Sequence, residues 1–342
     1  MAGGFPILFI APSRIGDAVL SSGLVRKLHE EAPNARFTFA AGPASAPLYA
    51  DVPGLERVYV MEKQRGAGHW LKLWRSVRER RWGLVVDMRG SGLVRVLRTR
   101  KKAVYARPPS GTEPQHKVME AARLLDVEGE PPAPYLFVSD ERQAAADALL
   151  GWRGEAGDGP ILAMGPAANW SGKAWPAERF AVTAAKLLDP GGPFEHGRLL
   201  LLGGPEDKLT CRTVRHSLPR HRVIDLSGSA DLLTGYAALK RARLFVGNDS
   251  GLMHMAAAAG APTLGLFGPS DDRVYAPWGP HARALRGPRD FDTFRRIDPG
   301  LNQPVQHMGD LSVESVLNAA RRLWAETEGV ERDQRSEVRG QK

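Results

Sequence analysis

Short apolar runs alternate with amphipathic helical stretches through both halves of the chain, and this alternation constrains the fold more than any other feature. A run of four to eight apolar residues between turn residues suits a strand buried on both faces, which needs helices on each side of its sheet. The expected class is therefore α/β with mainly parallel sheets. In the first half, residues 6–12 (PILFIAP), 36–41 (RFTFAA), 57–61 (RVYVM) and 84–88 (LVVDM) read as strands. Val19, Leu20, Leu24, Val25 and Leu28 recur at helical spacing, predicting one helix from Asp17 to about Glu31, and residues 70–81 predict another. In the second half the strands are 161–166, 198–205, 243–249 and 262–270, with helices over 176–188, 250–260 and 311–325.

At 342 residues the chain exceeds the size of a single core, so two domains are expected. A proline- and acid-rich segment (127–135) and a glycine-rich one (154–160) flank a helix capped by Ser139, placing the boundary within 135–158. The expected division is residues 1–150 and 156–325, with 326–342 a disordered tail because it is almost devoid of apolar residues. No apolar run reaches the roughly 18–20 residues that span a bilayer. The first apolar run lacks a basic flank and enters a turn and helix, so it reads as a core strand and not as a signal peptide. The single cysteine, Cys211, excludes an internal disulfide. It fits a reducing compartment, and the expected location is the cytoplasm.

The net charge of +9 is unevenly spread. Arg89, Arg95, Arg98, Arg100, Lys101, Lys102, Arg107 and Lys117 share a stretch whose only acid is Glu113. Such a patch can meet anionic lipid, nucleic acid or a phosphorylated acceptor, or can simply be solvated. The chain has no zinc finger and no aromatic RNA-binding motif, so nucleic acid is not expected as a partner.

Three segments carry candidate chemistry. In 247–271 (GNDSGLMHMAAAAGAPTLGLFGPSD), Gly247 allows a sharp turn, Asp249 or Ser250 can cap the next helix, and small residues let that helix sit close to the sheet. Free N–H groups at such a helix tip suit a phosphate or diphosphate; a capped helix on tight glycines without a ligand is the alternative. His254, one turn in, can face a cleft or the core. In 165–176 (GPAANWSGKAWP) six residues separate Gly165 from Gly172, and Ala174 stands where a magnesium-binding hydroxyl would be, so this is not a Walker A loop. Lys173 can still serve as a point charge beside a phosphate, or be a plain surface lysine. In 11–22 (APSRIGDAVLSS), Asp17 can be a base or merely a helix cap. A helix tip stabilises a carboxylate and so weakens it as a base. The chain contains no GxGxxG at 201–207, and no HExxH, cysteine cluster or GxSxG, which argues against dehydrogenase, metallohydrolase and serine hydrolase readings. No metal and no cofactor is expected.

Taken together, the order of these segments resembles glycosyltransferase family 9, the ADP-heptose:lipopolysaccharide heptosyltransferases. The resemblance lies in R-x-G-D (Arg14, Gly16, Asp17), K-x-W-P (Lys173, Trp175, Pro176) followed by Phe180, G-G-P-E (203–206), D-S-G-x-x-H-x-A-A (249–257) and P-T-x-x-L-F-G-P-S (262–270), spanning about residues 5–325. It implies a GT-B fold of two Rossmann-like domains with a central cleft, the acceptor held by the first and the donor by the second. It further implies metal-independent transfer with anomeric inversion, from an ADP-sugar such as ADP-heptose to an anionic lipopolysaccharide core. Asp17 would be the general base and Lys173 the counter-charge to the departing diphosphate. Asn169, Ser171, Glu206, Asp249, Ser250, Gly251 and His254 would serve the donor, and Arg14, Arg89, Arg95 and Arg98 the acceptor. Contact with the inner face of the cytoplasmic membrane would follow from such an acceptor. The loop before Lys173 departs from the family pattern, offering only Asn169 and Ser171 as polar groups, and His307 stands where many relatives carry cysteine. A nucleotide-sugar epimerase or hydrolase, or a non-catalytic nucleotide-sugar binder on the same architecture, are the alternatives.

Overall fold

The computed structural model describes residues 4–109, 111–155, 158–300 and 305–328. The chain divides into two compact units, Met1–Arg142 and Gln143–Lys342. The tail beyond residue 328 lies outside the described residues.

The first unit holds five parallel strands: β1 (Phe5–Ile10), β2 (Ala35–Ala41), β3 (Leu55–Val60), β4 (Trp82–Asp87) and β5 (Thr99–Val104), in the order β3-β2-β1-β4-β5. Its helices are α1 (Ile15–Leu20), α2 (Gly23–Glu31), α3 (Gly68–Val77) and α4 (Lys117–Ala122). β1 and β4 occupy the centre, and Ile7, Leu8, Phe9, Ile10, Val85 and Val86 are wholly buried, as runs without polar alternation require.

The single helix expected from Asp17 to Glu31 is two helices. Ser21 Oγ donates to the carbonyls of Asp17 (3.0 Å) and Ala18 (3.1 Å), and Ser22 Oγ to that of Val19 (2.6 Å). Ser22 Oγ also accepts from the Tyr135 N–H at 2.9 Å. A Cβ on Gly23 would lie 2.3 Å from the Pro132 carbonyl oxygen, so only glycine admits the crossing segment there. The apolar periodicity continues across the break: Val19 and Leu20 of α1 and Leu24, Val25 and Leu28 of α2 are all buried. β5 was invisible to an apolar count: Arg100, Lys101 and Lys102 are exposed on it. It is an edge strand, where charge is tolerated and discourages further pairing.

The second unit holds six parallel strands: β6 (Ile161–Gly165), β7 (Arg198–Leu201), β8 (Val223–Asp225), β9 (Ala242–Asn248), β10 (Thr263–Phe267) and β11 (Ala282–Arg286), in the order β11-β10-β9-β6-β7-β8. Around them lie α5 (Asp140–Leu150, which the division between units crosses), α6 (Ala177–Leu188), α7 (Lys208–Arg215), α8 (Leu232–Leu239), α9 (Gly251–Ala258), α10 (Asp272–Tyr275), α11 (Phe291–Ile297) and α12 (Val313–Glu326). The expected Ser139 cap is present, its Oγ accepting from the Arg142 N–H at 3.3 Å. Trp175, Phe180, Leu187, Phe194, Leu199, Leu201, Val246 and Leu266 build the core under α6 and α12. Each such side chain contributes about 1.5–3 kcal/mol on burial.

Both sheets reverse direction once. In the first, β1 leads outward through β2 and β3, and the chain returns to place β4 and β5 on the other side. In the second, β6 leads to β7 and β8, and β9 returns to lead to β10 and β11. Loops leaving the carboxyl ends of two strands at such a reversal diverge to opposite faces and leave a crevice between them. The crevices lie between β1 and β4 and between β6 and β9. Among the described residues no helix is long and apolar enough to cross a membrane.

Candidate active site

In the second unit, the loop after β6 carries Lys173 and the turn after β9 carries Asp249, one on each side of the crevice. Lys173 Nζ lies 3.1 Å from Asp249 Oδ2. The two side chains are 17% and 8% exposed, so Lys173 is not a plain surface lysine. At 3.1 Å the gross attraction is about 5 kcal/mol in a medium of effective dielectric ~20. Desolvation offsets most of it, and the pair serves to orient the ammonium group more than to stabilise the fold. Ser270 Oγ, from the turn after β10, donates to the same Asp249 oxygen at 2.6 Å. His254 is 3% exposed and its Nε2 lies 4.0 Å from Asp249 Oδ1. It faces the Asp249 carboxylate from inside α9.

The residue preceding α9 is Ser250, extended at φ −152° and ψ 170°, and its side chain makes no capping hydrogen bond. Asp249 stands one residue before that position, with its Oδ2 engaged by Lys173 and Ser270. Ser250 Oγ is buried and has no hydrogen-bond partner among the described residues. The first N–H groups of α9 thus open beside the Lys173 ammonium group without a side-chain acceptor, a natural seat for an anion.

The Lys173 loop is fixed from several directions. Asn248, wholly buried at the end of β9, accepts from the Trp175 N–H (2.9 Å) and donates to the Pro166 carbonyl (2.8 Å). Trp175 Nε1 donates to the Leu311 carbonyl at 2.9 Å. A Cβ on Gly172 would lie 2.3 Å from the Trp170 ring, which explains the glycine. Asn169 and Ser171 are exposed on this loop, and Gly251 opens α9. Glu206 is exposed on the turn after β7, next to β6 in the sheet. That turn is held by Asp207, whose Oδ2 accepts from the Gly204 N–H at 2.8 Å and whose carboxyl is raised above the usual carboxylate range, chiefly by burial.

With this geometry in view, the relatives of the chain become informative. The model of glycosyltransferase family 9 (heptosyltransferase) matches residues 75–298, well over half the chain. The chain belongs to glycosyltransferase family 9. It is 27% identical over 315 residues to lipooligosaccharide heptosyltransferase 2 of Haemophilus influenzae, covering 82% of this chain and 88% of that protein. The crystal structure of a family 9 glycosyltransferase from Veillonella parvula superposes with a TM-score of 0.76 at 20% identity, over 94% of this chain and 98% of that one. The E. coli ADP-heptose LPS heptosyltransferase II superposes with a TM-score of 0.73 at 23% identity, over 95% and 100%. The fold is therefore GT-B, two Rossmann-like domains, and the protein is a glycosyltransferase.

In the first unit of this family 9 enzyme, Asp17 is the third residue of α1, and the cap position is Arg14. Asp17 is thus not the N-cap residue: it stands in the first turn of α1, three positions after Arg14. Arg14, exposed, and Asp17, half-buried, follow β1. Arg89 follows β4 across the same reversal. Its guanidinium lies 4.7 Å over the Trp70 ring, and burial pulls its pKa down. Arg89 Nη1 is buried with no hydrogen-bond partner among the described residues. The Arg89 turn is shaped by Asp87, wholly buried, which accepts from the N–H groups of Arg89 (3.0 Å) and Ser91 (2.8 Å) and from Ser91 Oγ (2.7 Å).

Arg95 and Arg98 do not join them. Arg95 is exposed on a turn, and the Arg98 carbonyl accepts from the N–H of Trp82, the first residue of β4. Arg98 is therefore at the amino edge of the sheet, about 20 Å from the end of β4 at ~3.3 Å per residue. The basic run is a ribbon along β5 rather than one pocket. Sequence reasoning assigned no role to Asn248, Ser270 or Asp87. Asn248 and Ser270 stood inside the segments singled out, but only the fold shows whom they bond. Among the described residues no three His, Cys, Asp or Glu side chains gather as a metal site would need.

Proposed function

We propose that this enzyme transfers heptose from ADP-heptose to an anionic lipopolysaccharide core acceptor with inversion and without a metal ion, the donor held by the second domain and the acceptor by the first. The observation that carries the reading is the Lys173–Asp249 pair beside the uncapped start of α9, at the β6/β9 reversal. Family membership and the heptosyltransferases it resembles support the choice of sugar.

In this reading the diphosphate accepts from the N–H groups of Ser250, Gly251 and the first turn of α9, with Ser250 Oγ, Asn169 and Ser171 as further donors. Glu206 accepts from ribose hydroxyls. Asp249 and His254 hold Lys173 and the turn in place instead of touching phosphate, since a carboxylate facing a diphosphate would repel it. The acceptor hydroxyl oxygen attacks the anomeric carbon opposite the diphosphate, and its proton passes to the Asp17 carboxylate. The bond from the anomeric carbon to the diphosphate oxygen breaks, its electron pair stays on that oxygen, and Lys173 with the helix tip offsets the new charge. Arg14 and Arg89 meet acceptor phosphate or carboxylate groups. In the same reading, the ribbon of Arg95, Arg98, Arg100, Lys101 and Lys102 meets anionic headgroups at the inner face of the cytoplasmic membrane.

The test is Asp17→Ala, with ADP affinity by titration calorimetry and transfer from ADP-heptose to heptose-deficient lipopolysaccharide. ADP binding is expected within threefold of wild type, and transfer reduced by about two to four orders of magnitude. Transfer near the wild-type rate would refute the base, and loss of ADP binding would make Asp17 a structural residue.

A further inference from the structure

We propose that His307 is a positioning residue for Lys173, acting through the loop that carries it; the inference rests on the leaving-group role given to Lys173 above.

Residues 306–311 lie against the Lys173 loop and bond it at successive points. The His307 N–H donates to the Gly172 carbonyl at 3.1 Å. Gln306 Nε2 donates to the Ala174 carbonyl at 3.2 Å. The Leu311 carbonyl accepts from Trp175 Nε1 at 2.9 Å and from Arg179 Nη1 at 2.6 Å. Lys173 is thus bracketed by two residues, Gly172 and Ala174, that are both tied to this segment. The segment is itself tied down by Arg289, whose Nη2 donates to the His307 carbonyl at 2.7 Å.

The imidazole of His307 is the side chain at the centre of this contact. It is 2% exposed and meets two rings edge to face: Trp170 at 5.9 Å and 60°, and Phe294 at 5.4 Å and 77°. Trp170 in turn folds over Gly172, leaving no room for a Cβ there. A shift of the imidazole therefore moves Trp170, the Gly172 peptide and the start of the Lys173 residue together. His307 Nε2 has no hydrogen-bond partner among the described residues, and the Asp298 carboxylate lies 3.9 Å away. A buried polar nitrogen so placed is a cost to the fold. What the ring supplies is a flat wedge between Trp170 and Phe294. Removing that wedge leaves the backbone bonds but frees Trp170 to swing, and the ammonium group loses its fixed distance from the diphosphate oxygen. Small misplacements of a charge-stabilising group act on turnover more than on binding.

The experiment is a double-mutant cycle on the full-length enzyme with ADP-heptose and heptose-deficient lipopolysaccharide, reading kcat and the donor KM. His307→Ala is expected to lower kcat about tenfold with the donor KM changed less than about threefold. His307→Phe, which restores a flat ring between Trp170 and Phe294, is expected to recover most of that loss. In a Lys173→Ala background His307→Ala is expected to lower kcat less than about twofold further, because the group being positioned is gone. A full second tenfold loss in that background, or a His307→Ala effect confined to KM, would overturn the inference while leaving the role of Lys173 intact. Wild-type turnover in Lys173→Ala alone would overturn both. Should His307→Ala not fold, Trp170→Leu removes the opposite ring of the same contact, and the same coupling to Lys173 is required of it.

Discussion

Asn248→Ala is the substitution whose cost the structure defines most directly. The side chain is wholly buried and makes two hydrogen bonds, accepting from the Trp175 N–H at 2.9 Å and donating to the Pro166 carbonyl at 2.8 Å. Alanine leaves both backbone groups buried without those partners. Each orphaned group costs about 1–3 kcal/mol, and some relief from an entering water brings the sum to about 2–4 kcal/mol. For a unit of this size a loss of ~3 kcal/mol lowers the melting temperature by about 6–12 °C. The same two bonds hold both ends of the Lys173 loop, so ADP affinity is expected to fall by about tenfold with the stability. Asn248→Asp keeps an acceptor for Trp175 but sets a carboxylate oxygen against the Pro166 carbonyl, and is expected to melt no higher than Asn248→Ala. Thermal unfolding by circular dichroism and ADP titration read both effects. An Asn248→Ala protein melting within about 1 °C of wild type, with unchanged ADP affinity, would show that Asn248 does not tether the loop.

Two further predictions concern other parts of the molecule. Arg89→Ala is expected to raise the acceptor KM about three- to tenfold at low salt, to leave the donor KM unchanged, and to flatten the rise of acceptor KM with ionic strength; an acceptor KM equal to wild type would remove Arg89 from the acceptor site. Cys211 is wholly buried in the second unit, and burial pushes its thiol up to about 12. At about pH 8 only roughly one molecule in ten thousand carries the reactive thiolate, so the native protein is expected not to colour a disulfide reagent until it is unfolded. Prompt reaction of the native protein would contradict the buried placement.

The alternation of apolar runs with helical spacing was enough to establish two parallel α/β units, since residues such as Val85, Leu200 and Leu201 have no polar neighbour that could face water. It was likewise enough to single out Asp17, Lys173 and the 247–271 segment, because glycines and charged residues just past a buried strand mark where backbone and solvent meet. The boundary between α1 and α2 was not legible, since the crossing chain at Pro132 that imposes it is more than a hundred residues away in sequence. β5 was hidden because an edge strand need bury only one side, so its lysines and arginines give no apolar signal.

What only the tertiary structure decided is which groups share a pocket. Lys173 and Asp249 stand 76 residues apart in the chain and 3.1 Å apart in space. Ser270 completes that contact from a third strand, and Asn248 locks the loop from a fourth position. Conversely Arg89 and Arg98, nine positions apart, fall at opposite edges of one sheet, because the chain between them turns back to start the next parallel strand. Local pattern dictates which residues form strands and which form turns; the order in which strands assemble, settled by burying every apolar face at once, dictates which turns meet.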